Sequence, residues 1–546
     1  MGPVPCGFRA APVGWDHGYS SRDTYTAHFH SEMAPNWLDF AALVKGHAPP
    51  RRREGASFRY LELGCGMGFG LCLLAALYPE GRFLGVDFHP DHIAHGRRLA
   101  ETLGLENLRF QEADFVDLQA DPSPLGFERG ETGPYHYVAA HGIATWVVEP
   151  VQQALLAVAS AALLPGGLFY NSYKTLPGWL PLTAFQQLVR LELQRGEPAL
   201  PGEAFRRATA TLASLLGEEG QATPLRNLLP TLSTELDDLR LDNVPYLLGE
   251  YDNAGWQPLY VAEMHQRCAA HKLRPVATAN LPELFEELLP EPLRSQVNGE
   301  PNGLIRQTLI DLACARRFRR DLFARGSVRL SPDAWRRRLS GLRLRRRETP
   351  SRQDWRFRTS FGELSVPPAI CEAMEAALAP GPRSLAELAE AIGQPPVEAL
   401  RLAALLLHEE RLGLDRGEAG AQAQAGCERA NARLLQRMAE GWGYGSLAAP
   451  AVGSGVDCSL VEALCCQAPG QGPLGATEER WLLERLRELG ARSASTANND
   501  VKPVYALDEK TLYVVTAFQR DRLPFLQALG VVLARFQPRS PGHADA

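Results

Sequence analysis

The sequence is short of lysine: five of its 57 basic residues are Lys, and the rest are Arg. It has no excess of positive charge either. Asp and Glu number 63, giving a net charge of −6 at pH 7, which argues against general affinity for nucleic acid or an anionic membrane across the whole surface. The ten cysteines form no CxxC pair and match no zinc spacing, so no metal is expected. A chain of this length builds its core without a disulfide framework. Its longest apolar stretches, such as Ala154 to Leu164, fall well short of the roughly 20 residues needed to cross a bilayer. The opening Met1-Gly2-Pro3-Val4-Pro5-Cys6 has no apolar signal core and no Ser or Thr at position 6, so neither export nor myristoylation is expected. These absences point to a soluble, cytoplasmic protein with reduced thiols.

What is present is ordinary globular composition over 546 residues, 45% hydrophobic and 22% charged, enough for about three to four domains. No fixed-period repeat is evident. The first third alternates strand-like and helix-like segments. Phe58–Leu63, Arg82–Asp87, Leu108–Ala113, Tyr135–Ala140 and Gly167–Tyr173 read as strands. Leu71–Tyr78, Pro90–Leu103 and Val151–Leu164 read as helices between them, Pro90 suiting a first turn. Such alternation predicts a parallel sheet covered on both faces, a doubly wound α/β domain.

From about Pro181 to Leu241 the pattern is helical. The sheet then resumes near Gln257, with a helix at Tyr260–Leu273 and a strand at Arg274–Ala279. An Arg-dense stretch runs from Arg316 to Arg358 and contains Trp335 and Trp355. It reads as a linker or a set of ion pairs in preference to a nucleic-acid patch. Beyond it, Ala369–Leu378, Ser384–Ile392 and Pro396–Glu410 read as three helices, the second opening on the capping box Ser384-Leu385-Ala386-Glu387. Strand-like material at Val504–Val515 completes a winged-helix-like pattern. Its third helix carries Glu398, Glu409 and Glu410, unsuited to phosphate.

The strongest chemical signal is Leu61-Glu62-Leu63-Gly64-Cys65-Gly66-Met67-Gly68. Glycines after a first strand let the backbone turn sharply and approach a ligand. The frame is not the dinucleotide GxGxxG, because Phe69 stands where the third glycine belongs. An acidic-x-Gly-x-Gly-x-Gly frame suits S-adenosylmethionine (AdoMet), which has no phosphate but carries an ammonium and a sulfonium that tolerate Glu62. Asp87 ends the second strand, where an acid would hold ribose hydroxyls. Asp114 ends the third, placed to accept from the adenine amine while Phe115 packs on the ring. Strand-end Asp residues also cap helices. His89, His92 and His95 lie at helical spacing without a carboxylate or Cys to complete a metal set.

These segments resemble class I AdoMet-dependent methyltransferases, with Leu163-Leu164-Pro165-Gly166-Gly167-Leu168 similar to that fold's turn before the last strand. His141-Gly142-Ile143-Ala144-Thr145-Trp146-Val147 and Ser172-Tyr173-Lys174-Thr175-Leu176-Pro177-Gly178-Trp179 resemble the HGxxSWV and SYNxxPGW segments of a narrower family. Those are bacterial methyltransferases with a methyltransferase regulatory domain, among them protein lysine methyltransferases that modify outer-membrane proteins. Asn36-Trp37-Leu38, Trp256-Gln257-Pro258-Leu259-Tyr260 and Arg317-Phe318-Arg319-Arg320-Asp321-Leu322-Phe323 add to the resemblance, which covers residues 15 to 330. The chain departs from it at Lys174, where the family has Asn, and at Thr145 in place of Ser. A cation facing the acceptor would repel a protonated lysine; the side chain is expected to point to solvent.

The fold expected is a doubly wound, Rossmann-like α/β sheet with a helical insertion and a mainly helical, winged-helix-like C-terminal domain. Its parts are an AdoMet-binding core at 15–180, a regulatory insertion and resumed core at 181–330, an Arg-rich linker at 331–365 and the C-terminal domain at 366–540. Glu62, Gly64, Gly66, Gly68, Asp87, Asp114, Phe115 and His141 are the expected cofactor residues. The expected catalytic set is His141, Tyr173, Tyr25 and Trp146 around the fourth and fifth strand ends, where aromatic faces attract cations. The resemblance implies methylation of a protein side chain, lysine, with AdoMet as cofactor and neither nucleic acid nor membrane as partner. A small-molecule N- or O-methyltransferase and a non-catalytic AdoMet sensor are the alternatives.

Overall fold

A computed structural model describes residues 15, 17–19, 27–51, 53–195, 201–241, 243–347, 355–467, 481–482, 484–486, 488 and 522–531. Tyr25 and the strand expected at 504–515 lie outside these.

Seven strands form one sheet: β1 (Phe58–Leu63), β2 (Gly81–Asp87), β3 (Leu108–Glu112), β4 (Tyr135–Ala140), β5 (Leu163–Lys174), β6 (Arg274–Thr278) and β7 (Phe318–Ala324), in the order β3-β2-β1-β4-β5-β7-β6. β1 to β5 are parallel, whereas β7 pairs antiparallel with both β5 and β6. The sheet is therefore mixed, against the all-parallel expectation. β7 was hidden in the Arg-dense stretch. Its Arg319 is buried because Asp311 and Asp321 lie within 2.6 Å and 2.9 Å of its guanidinium, so a strand full of charge packs as core.

Side-chain alternation along each strand sorts the sheet's two faces. Tyr60, Phe83, Phe110, Tyr137, Ala139 and Tyr170 face one layer, built on α1 (Pro35–Val44), α2 (Phe69–Leu77) and α3 (Pro90–Leu103). Leu61, Leu63, Val86, Val138, Phe169, Tyr173 and Phe323 face the other, with α4 (Phe115–Ala120) and α5 (Glu149–Ala162).

Between β5 and β6 the chain forms α6 (Leu180–Leu193), α7 (Pro201–Leu216), α8 (Pro224–Leu228), α9 (Leu232–Asp237) and α10 (Val244–Tyr251). These bury their own core of Trp179, Phe185, Phe205, Leu212, Leu248 and Tyr251. α11 (Val261–Ala270) returns to the sheet, and α12 (Leu293–Gly299) and α13 (Gly303–Ala313) precede β7.

The described residues of the stretch expected as a linker form helix and strands. It contains α14 (Pro332–Ser340), β8 (Arg343–Arg346) and the hairpin of β9 (Arg356–Thr359) and β10 (Gly362–Ser365). Then come α15 (Pro368–Leu378), β11 (Arg383–Ser384), α16 (Leu385–Ala391), α17 (Pro396–His408) and β12 (Leu412–Leu414). β8 is the central strand between β11 and β12, with Leu344 fully buried and Arg343 and Arg345 beside Asp415. The order helix, strand, two helices, strand is winged-helix-like. However, α17 buries Leu400 and Leu402 through Leu407, so it is a core helix.

Next come α18 (Gly417–Ala439), the hairpin of β13 (Ser446–Ala449) and β14 (Ser454–Asp457), and α19 (Leu460–Gln467), ahead of the last described helix, α20 (Leu523–Ala528). They cover α2 and α3. Arg416 reaches Glu54 and Glu80 at 2.7 Å and 2.6 Å, and Tyr444 stacks on Phe69 at 4.8 Å while its hydroxyl meets His95 Nε2 at 2.9 Å. Among the described residues no helix is long and apolar enough to cross a membrane.

Candidate functional site

The loop after β1 puts three glycines in left-handed backbone: Gly64 at φ 76°, Gly66 at φ 52° and Gly68 at φ 72°. A Cβ at Gly64 would stand 2.6 Å from the Ile143 side chain, and one at Gly68 would stand 2.5 Å from the Phe110 ring. At Gly66 it would meet nothing within 4 Å. Gly66 faces open space, the floor of a cavity of about 510 Å³. A side recess of about 90 Å³ shares Gly64, Gly66, His28, His30 and His141 with the cavity and adds Glu62 and Gly68.

Asp87, Asp114 and Phe115 line the same cavity. Asp87 accepts the Gly66 N–H and the His89 N–H, both at 2.9 Å, with His92 Nδ1 at 3.2 Å. The acid thus holds the glycine loop against the end of β2. Asp114 accepts the Val116 N–H at 2.6 Å as the N-cap of α4, and its second oxygen is 3.1 Å from His17 Nε2. Glu62 meets no protein cation among the described residues; burial, then the neighbouring Asp87 charge, pushes its carboxyl up to about 8. A cradle that any side chain at Gly66 would fill, beside a buried carboxyl that an incoming cation would ionise, fits the ammonium end of AdoMet.

The other end of the cavity is aromatic. His141 continues the alternation of Tyr137 and Ala139 beyond β4. Its Nδ1 lies 2.9 Å from the Tyr170 hydroxyl, and its ring stacks on His30 at 3.7 Å. Burial holds both imidazoles neutral: His30 is lowered to about 4, and His141 lies well below the ordinary range, with His30, Arg320 and His28 adding to the effect. His30, Glu32 and His141 each place one possible ligand atom within 4.8 Å of the others. Glu32 is already held by Arg320 Nε at 2.7 Å, a cation where a metal would need free charge. His89, His92 and His95 go to separate partners: the Asp91 N–H, Asp87, and the Met67 carbonyl with Tyr444.

Two expectations are corrected here. Tyr173 does not line the cavity. It points to the opposite face of the sheet, where its hydroxyl donates to Asp321 at 2.6 Å and His265 and Arg319 share that carboxylate. Lys174, the next residue, points the other way by the same alternation, and not to solvent: it is 2% exposed. Its Nζ is 2.7 Å from Glu250 Oε2 and 3.1 Å from the Glu250 carbonyl. Four rings surround that nitrogen, with centroids at 4.6 Å (Trp179), 5.0 Å (Trp146), 5.7 Å (Trp256) and 5.9 Å (Tyr251). Each such contact contributes on the order of 0.5–2 kcal/mol. Desolvation lowers the ammonium's pKa against the pull of Glu250.

Sequence reasoning missed His28, His30, Tyr246, Glu250 and Phe318, which also line the cavity. The alternation His28-x-His30-x-Glu32 was a readable signal for the first two. Nothing local marked Glu250.

Two family models match the chain: "Methyltransferase domain" over residues 55–173 and "Predicted methyltransferase regulatory domain" over 243–325. The protein is an S-adenosylmethionine-dependent methyltransferase of the kind that carries a methyltransferase regulatory domain. An uncharacterized protein of Synechocystis sp. is 26% identical over 523 residues, 95% of this chain and 99% of that protein. The structure of PKMT2 from Rickettsia typhi has a TM-score of 0.61 at 18% identity, covering 93% of this chain and 99% of that one. Its complex with AdoHcy has a TM-score of 0.59 at 18% identity, covering 90% and 97%. At this identity the likeness is one of fold, and it extends through the C-terminal half.

Proposed function

We propose that the protein methylates the side-chain amine of lysine residues in a protein substrate. His141 carries this reading. A lysine amine must aim its lone pair at the methyl carbon, and His141 is a neutral imidazole at the cavity wall, stacked on His30 and able to accept a hydrogen bond from the acceptor N–H. An acceptor entering between His30, His141, Trp146 and Phe318 meets walls that suit an aliphatic stem, with a hydrogen-bond acceptor at the end. Lys174 and Glu250 cancel each other's charge, so the cation that would repel an ammonium is neutralised. PKMT2, a protein lysine methyltransferase, shares the fold over nearly its whole length, which supports a protein acceptor.

AdoMet supplies a methyl group on a sulfonium with a good leaving group, so the protein's task is to align the neutral amine and exclude water. Glu62 is the residue to hold the cofactor's ammonium. Asp87 fixes the glycine loop and offers its remaining lone pairs to ribose hydroxyls. Asp114 and Phe115 flank the adenine. The acceptor amine gives up its proton to solvent before it seats, and His141 then accepts a hydrogen bond from its N–H while the Tyr170 hydroxyl fixes the imidazole ring.

The test incubates the protein with methyl-labelled AdoMet and cell lysate, then hydrolyses the precipitable protein and identifies methylated amino acids by mass spectrometry. Methyl-lysine is expected, at least 100-fold reduced for His141→Ala. Label confined to small molecules would overturn the reading.

A further inference from the structure

We propose that the ring-lined chamber around Lys174 is a binding seat for an acceptor lysine's amine and for its methylated products, held shut in this structure by the chain's own lysine. The inference rests on the lysine-acceptor reading and adds the place where the amine docks.

Three separated stretches converge on one nitrogen. Trp146 follows β4, Trp179 opens α6, and Tyr251 and Trp256 come from the end of the helical insertion, with Glu250 one residue before Tyr251. A core built only for stability would meet these rings with an aliphatic side chain, because burying an ion pair rarely gains over apolar packing. Rings on several sides of an ammonium, closed by a carboxylate, form the arrangement that recognises lysyl and methyl-lysyl ammonium groups.

Lys174 stands apart from the chain's other described cations of its type. The chain uses Arg for nearly every cation and has five lysines. Lys45 and Lys272 are exposed, and Lys174 alone among the described lysines is buried.

The seat opens into the cofactor cavity. Lys174, Trp146, Trp179 and Glu250 all line that cavity together with Gly66 and His141. An incoming lysine therefore competes with Lys174 for Glu250. Methylation replaces N–H donors with methyl groups that pack on ring faces, so the product keeps its affinity for the chamber as it loses hydrogen bonds.

The experiment uses the full chain and tetramethylammonium as probe, read by quenching of tryptophan fluorescence and by thermal shift. Lys174→Ala is expected to bind the probe at least tenfold more tightly than the wild type and to regain thermal stability with it. Adding Glu250→Gln to that variant is expected to weaken binding at least tenfold. Lys174→Gln, which keeps a donor for Glu250, should fall between Lys174→Ala and the wild type. A second measurement needs no variant: formaldehyde with borohydride should alkylate Lys45 and Lys272 in the folded wild type and spare Lys174. Equal probe binding by wild type and Lys174→Ala, or alkylation of Lys174 at the rate of Lys45, overturns the seat. Both readouts are independent of turnover. A failed lysate assay with positive probe binding thus condemns the lysine-acceptor reading alone, and the reverse condemns the seat alone.

Discussion

The cavity's two ends are made of different material. The cofactor end is main chain: a left-handed glycine at Gly66, its amide fastened to Asp87, and a carboxylate at Glu62. All three come from one strand–turn–helix–strand unit. The opposite end is side chain, contributed by the segment after β4, the tip of β5 and the last helix of the insertion. A wall of backbone has little freedom to vary, whereas a wall of side chains changes with each substitution. On the proposed function, the contrast puts the common chemistry at the first end and the choice of acceptor at the second.

The largest expected effect falls at the acceptor end and on stability. Lys174→Ala strands a buried carboxylate and should cost about 3–5 kcal/mol in denaturant unfolding. Its AdoMet affinity should stay within about threefold of the wild type. A large loss of cofactor binding in the folded variant would show that the two ends are not separable.

Asp87→Ala is the mirror experiment. It orphans the Gly66 and His89 amides, and AdoMet binding by calorimetry should weaken by about 2–4 kcal/mol, roughly 30- to 1,000-fold. Gly66→Ala sharpens the point. Its Cβ meets no protein atom, so unfolding should cost only about 1–2 kcal/mol for the left-handed backbone, while AdoMet affinity falls by more than that.

Next in size are two pH effects of opposite sign. Glu62, with its carboxyl raised to about 8, is protonated at pH 7 in the free protein. An ammonium beside it expels that proton. AdoMet affinity should therefore rise from pH 6 to 8 by up to about tenfold per unit, with proton uptake by the buffer visible in calorimetry, and Glu62→Gln should flatten the rise. His30 is a base lowered to about 4. Its contribution to stability is present above the unfolded value near 6.5 and is lost as pH falls from there through 4, about 3 kcal/mol in all. His30→Phe should remove most of that slope in denaturant titrations at pH 4 to 7.

The smallest expected effect belongs to Asp114→Ala, which removes a helix cap at a cost of about 0.5–2 kcal/mol, measured by thermal unfolding.

Legibility in the sequence followed the same divide. β1 and β4 lie at their expected bounds, and the loop was readable because glycine, acid and strand end are neighbours in the chain. Tyr173 and Lys174 show where local reading stopped. Adjacent residues at a strand end point to opposite faces, and a one-residue question of phase decided which of them reached the cavity. β7 was missed because Arg319 is neutralised by Asp311, ten residues from β7's own Asp321, together with Asp321 itself, and Arg320 by Glu32, far earlier in the chain. The partners of Lys174 were beyond reach for a similar reason: Glu250 is 76 residues away along the chain.

Tyr444 has a wider consequence. It leans on Phe69, the first residue of the helix that issues from the glycine turn, and its hydroxyl grips His95, whose other nitrogen holds the Met67 carbonyl inside that turn. The far half of the polypeptide is thereby a buttress for the nucleoside end. A fragment ending at residue 330 forfeits that brace and lays the apolar flank of α2 open to water, so the catalytic half is not a detachable cassette.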